Sequence, residues 1–150
     1  HELNQLGNTH LTRGALIAFH SRYKLLLLSH GQRQYHELGQ FVAGIGQWDS
    51  LNNFFYEYRH RLMTVMSYQA SRQGHTQVLQ HIQGYFSRHL TSSQRNELTQ
   101  LIEHYRQGHQ PLLSPITLLK HYLAQYPNVY LSQQCYFDPY PDVLRLRYGI

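Results

Sequence analysis

A chain of 150 residues can bury a core of its own without staples or a structural metal, and its single cysteine, Cys135, excludes an internal disulfide and any multi-cysteine metal or iron–sulfur site. The formal charge is +5 with a pI near 9.4, but only 14% of residues are charged, which describes a moderately basic globule attractive to polyanions and not a basic tail. Lysine stands only at Lys24 and Lys120, so the positive charge is nearly all arginine, whose planar fork pairs with phosphate and stacks on bases. No apolar run is long enough to cross a membrane, and the opening HELNQLGNTH has no basic or apolar export region, so the expectation is a soluble, cytoplasmic protein.

Taken in chain order, residues 1–11 read as a disordered lead, and Thr12 then caps a first helix. Leu16, Phe19, Tyr23, Leu26 and His30 recur along it at three- and four-residue spacing up to Gly31. A second helix is expected over Gln32 to Val42, dying in the glycines of AGIGQ. Ser50 starts a long third one through Phe54, Tyr58, Leu62, Val65 and Gln69, with Gly74 marking its end. The stretch GHTQVLQHIQGYFSRHL, Gly74 to Leu90, forms a fourth, burying Val78, Leu79, Ile82 and Phe86; Gly84 in its interior is read as the place where a neighbouring helix comes close. Thr91 and Gln94 stand at capping-box spacing for a fifth helix that ends at Gly108. Ser114 and Pro115 read as N-cap and first position of a sixth, which stops before Pro127. The tail, rich in proline and tyrosine, reads as a short helical turn followed by an irregular strap. With no strand alternation, repeat or linker, the reading is one all-α domain, a bundle of about six helices.

Chemistry is thin along this pattern. A helical metal site needs ligands three or four residues apart, but His75 and His81 differ by six positions, about 240° around the axis, so neither metal nor cofactor is expected. Cys135 and the serines lie in no nucleophile signature and read as packing residues, and the carboxylates are scattered; Glu57 with Arg61 is an ordinary helical ion pair. What stands out is polar functionality in stripes: His20 with Lys24, then Gln77, His81, Gly84 and Tyr85, then Lys120 with His121. The twelve histidines add positive potential as pH falls through the ordinary imidazole range.

The blocks FHSRYK followed by LLLLSH, LGQFVAG, SRQGHTQVLQHIQGYF, IEHYRQGHQPLLSPITLLKHYL and YLSQQCYFDPYPDVLRLR occur in an order that resembles the YbgA-like bacterial domain of unknown function, from about Leu16 to Arg147. Two positions depart from that family's pattern: Tyr23 stands where histidine is usual, and Gln77 where asparagine is usual. The resemblance implies a domain found alone or fused C-terminal to a desulfidase-like domain that uses an iron–sulfur cluster to remove sulfur from thiolated uracil in RNA. It thus implies an RNA-facing accessory module, with a separate desulfidase-type protein as a partner.

The expectation is therefore a binder of tRNA-like RNA without catalysis of its own. Its contacts are drawn from His20, Lys24, Arg72, His75, Gln77 and His81, together with Tyr85, Arg106, Lys120, His121, Arg145 and Arg147. The competing expectations are a small nucleotide- or base-processing enzyme, with His20, His75 or His81 as general acid–base and Lys24 holding an anion, and a protein-interaction scaffold.

Overall fold

The four consecutive leucines at 25–28 sit at the centre of the architecture, on a helix enclosed on both sides. In the computed structural model, which describes residues 12–137, this is α2 (Lys24–His30), preceded by α1 (Arg13–Arg22). Then come α3 (Gln32–Ala43), a 3-10 turn at Ile45–Gln47, α4 (Leu51–Ser67), α5 (Arg72–Phe86), α6 (Ser92–Arg106) and α7 (Leu113–Gln125). The short α8 (Val129–Ser132) and a 3-10 turn at Cys135–Phe137 close the described chain. Among the described residues there is no strand, and no helix is long and apolar enough to cross a membrane.

Two cores flank α2. Leu25 and Leu28 pack with Val78, Leu79, Ile82 and Phe86 of α5 and with apolar residues of α6, α7 and α8. Leu27 turns the other way, into a second cluster with Leu16, Phe19, Leu38, Phe54 and Tyr58. A helix apolar all round is stable only when covered all round. Each of these leucines, once removed from water, contributes about 1.5–3 kcal/mol.

Thr12 caps α1 by accepting from the Ala15 amide, as the sequence suggests, but the first helix does not run through to His30. It breaks at Tyr23 (φ −100°, ψ 1°), and the cause lies far away in the chain. The buried side-chain amide of Gln134 enters the gap: its Nε2 donates to the Ser21 carbonyl at 2.6 Å, and its Oε1 accepts from the Leu25 amide at 3.1 Å. Backbone groups that a continuous helix would pair with each other are paired instead through one glutamine.

The sixth expected helix also starts differently. α7 begins at Leu113, so Ser114 is inside it and donates to Gln110 Oε1 instead of capping, while Pro115 sits in the first turn, where a missing N–H costs no helical bond. Thr91 and Gln94 do form the reciprocal capping box of α6. Residues 1–11, the expected lead, and 138–150, most of the expected strap, lie outside the described residues.

Candidate nucleic-acid interface

α5 is the element that gathers candidate residues. Ser71 accepts from the Gly74 amide and sets its start, three residues earlier than the glycine that the sequence offers as a terminator. One arc of the helix, Gly74, His75, Val78, Leu79, Ile82 and Phe86, is buried, and the opposite arc faces outward.

Gly74, expected to end a helix, takes the close-packing role expected of Gly84. At Gly84 a Cβ would meet nothing within 4 Å, so no neighbouring helix approaches there; the position is a bare spot on the exposed arc. At Gly74 a Cβ would stand 2.2 Å from the Ser29 carbonyl oxygen, which makes Gly74 the point where α2 crosses α5. Replacing Gly84 by alanine is accordingly expected to raise the unfolding free energy by about 1 kcal/mol, the helix-propensity difference with no steric offset. Urea unfolding of the variant measures this; a loss of stability would show that the bare spot is occupied.

The N-terminal half of the outer arc opens on a polar cleft of about 550 Å³ lined by Arg72, Gln73, Thr76, Gln77, Gln80 and Arg106. Arg72 is held in place: its Nη1 donates to the Tyr105 carbonyl at 2.7 Å, and its guanidinium lies 4.8 Å from the centre of the Tyr105 ring. Arg106 pairs with Glu103, and the hydrogen bond from Arg106 holds that carboxyl below its ordinary range. Gln77 donates to Gln32 of α3 at 3.3 Å.

Further along the same arc the surface becomes aromatic. His81 meets Tyr85 edge-on at 5.7 Å, and Tyr85 stacks on Tyr130 of α8 with ring centres 5.6 Å apart and planes 22° apart. The half-buried Tyr35 of α3 joins them closely enough that burial, then the nearby phenols of Tyr85 and Tyr35, push the Tyr130 hydroxyl up to about 12. In the turn after α5, the exposed His89 stacks on Tyr126 at 5.1 Å with planes 16° apart. Tyr35, His89, Tyr126 and Tyr130 were not among the sequence-derived contacts. Their signal, beyond a tyrosine pair four apart around Pro127, is tertiary.

His20 and His75 are placed otherwise than expected for surface contacts. Both are 3% exposed, so neither ring reaches a bound polyanion. His20 Nδ1 shares a 3.1 Å hydrogen bond with the Tyr58 hydroxyl, and His75 Nδ1 a 2.6 Å bond with the Tyr136 hydroxyl. Burial, reinforced by Lys24 for His20 and by His30 for His75, lowers each imidazole to about 4, so both rings are neutral at ordinary pH. These are polar struts: one ties α1 to α4, the other α5 to the closing 3-10 turn.

The break at Tyr23 puts Lys24, half-buried, at the start of α2, on a different helix from His20. Lys120 and His121 are exposed on α7, where His121 lines a separate groove with Leu101, His104, Leu118 and Glu97. Arg145 and Arg147 lie outside the described residues. The structure therefore brings Arg72, Gln77 and Arg106 to one cleft, sets His81 against Tyr85 further along the same helix, and leaves the other described candidates elsewhere. Among the described residues no group of three or more His, Cys, Asp or Glu is arranged to hold a metal ion.

A family model described as a protein of unknown function (DUF1722) matches residues 24–141. The uncharacterized protein YbgA of Escherichia coli (strain K12) is 49% identical over 149 residues, covering 99% of this chain and 88% of that protein. No solved structure matches.

Proposed function

From the premise that this chain belongs to the DUF1722 family of YbgA-like domains, whose function is unknown, we propose that it is a nucleic-acid-binding module for tRNA-like RNA, acting alone or beside a separate desulfidase-type protein. The observation that carries the reading is the outer arc of α5. It carries a cleft lined by Arg72, Gln77 and, from α6, Arg106, and further along the helix exposed imidazole and phenol rings at His81 and Tyr85. Guanidinium groups suit phosphates, glutamine amides suit base edges, and tyrosine and histidine rings suit base faces. A net charge of +5 adds a long-range attraction for a polyanion.

The competing reading, a small enzyme acting on a nucleotide or base, has weaker support. General acid–base catalysis works best with a group titrating near the operating pH, whereas burial lowers both His20 and His75 to about 4. Each is engaged by a different tyrosine, and His81 packs on a third. The scaffold reading needs a contiguous apolar patch, while the most exposed large apolar side chains, Tyr56 and Val129, sit on α4 and α8 respectively.

Gel retention of bulk tRNA across a salt series tests the proposal. Affinity is expected to fall steeply and log-linearly with salt, and Arg106→Ala to reduce the slope by about one phosphate contact. No retention near ~50 mM salt, where phosphate contacts are strongest, removes the reading.

A further inference from the structure

We infer that the C-terminal half of the α5 face is a site for unpaired nucleotides, which it takes as successive bases on two aromatic platforms. This rests on the RNA-binding reading and narrows it to a class of RNA.

The platforms are the stacked pairs Tyr85 with Tyr130 and His89 with Tyr126. Each pair takes one ring from α5 or the turn after it and one from α8 or the turn before it, and within each segment the two rings are four residues apart. The turn before α8 is fixed by Asn128, whose side chain accepts from the Leu131 amide and caps α8, so Tyr126 and Tyr130 are presented from a braced turn. Both stacks consist of nearly parallel rings, with interplanar angles of 22° and 16°, and Tyr85 and His89 are exposed.

Each platform has an exposed ring, Tyr85 in one and His89 in the other, on which a base can lie flat. Bases within a duplex strand rise by only ~3.4 Å, and their faces are covered by their neighbours. A strand that lays bases on both platforms must therefore have those base faces open, as an unpaired strand does. Three further features fit this occupant. Gly84 leaves the helix backbone bare beside Tyr85, so a flat ring can approach it. The phenols of Tyr35, Tyr85 and Tyr130 stand close to one another and supply hydroxyls for base edges. The nearest acidic residue along α5 and its following turn is absent altogether, since 72–90 contains no Asp or Glu, so nothing on that segment repels the backbone.

The test is fluorescence anisotropy of the full chain with three labelled probes: a mixed-sequence single-stranded RNA of about 12 nucleotides, a blunt duplex of the same length, and the single strand carrying two adjacent abasic sites. Stacking at each platform predicts about tenfold per base, so the intact strand should bind at least tenfold tighter than the abasic strand and the duplex. Replacing Tyr85 and His89 together by alanine, one ring of each platform, should erase that preference, and Tyr56→Ala, on the exposed face of α4, should keep it; circular dichroism shows that each variant is folded. Equal binding of strand and duplex, or of intact and abasic strands, overturns the inference while leaving RNA binding in place. No binding of any probe, or of tRNA, overturns both.

Discussion

Replacing Gly74 by alanine is expected to destabilise the fold by about 3 kcal/mol, at the upper end of ordinary overpacking. The added Cβ would stand 2.2 Å from the Ser29 carbonyl oxygen and 2.9 Å from its carbonyl carbon, both backbone atoms. No side chain can rotate to make room. The Ser29 carbonyl also accepts from the Ser71 amide at 3.4 Å, so moving it disturbs the cap region of α5 as well. Because α2 is the wall between the two cores, a shift of that helix propagates to both. In a thermal melt the variant should lose roughly 10 °C relative to the parent. The matching Gly84→Ala melt should rise, and a Gly74→Ala variant as stable as the parent would mean that the crossing of α2 over α5 is looser than described.

Acidification is expected to weaken the protein between about pH 6.5 and 4, well before the bulk of its carboxylates protonate. In the unfolded chain His20 and His75 take up protons near 6.5, whereas in the fold burial holds each to about 4. Across that window the unfolded state binds more protons, so stability falls as pH falls; above it these two residues contribute no slope. At about 1.4 kcal/mol per pKa unit, each ring accounts for roughly 3 kcal/mol over the full window. Burial is reinforced by a basic neighbour in each case, Lys24 beside His20 and His30 beside His75, and Tyr58 and Tyr136 are hydrogen-bonded to the two rings. Urea unfolding at pH 7.5 and 4.5 should differ by about 5 kcal/mol, and replacing both rings by asparagine should remove most of the difference. A flat profile over this range would show that the two rings are not buried as described.

What could be read from the residues was local. Thr91 and Gln94 announce their capping box because both partners lie within one turn, and the Gln77, His81, Tyr85 stripe follows from helical spacing alone. The break at Tyr23 could not be read, since the region from Phe19 to His30 has good helical periodicity and the interruption comes from Gln134. Gly84 and Gly74 look alike as letters; only the position of Ser29 tells which one another helix needs. His20 and His75 resemble surface imidazoles in a polar sequence, and only Tyr58 and Tyr136, 38 and 61 residues away, reveal them as interior struts. The same distance in sequence hid Tyr130 and Tyr126, which complete the α5 face.

The glutamine that seals the gap between the first two helices has a consequence for how the molecule is made. A growing polypeptide delivers Ser21 and Leu25 early, while the amide that joins them follows 113 and 109 residues later. Until then the N-terminal segment has no reason to bend at Tyr23, and ribosome-bound fragments would hold it straight or frayed. Closing so large a loop carries an entropic penalty that the assembled cores offset, so the kink is expected to form late in folding, and pulsed hydrogen exchange at the Leu25 amide would check it.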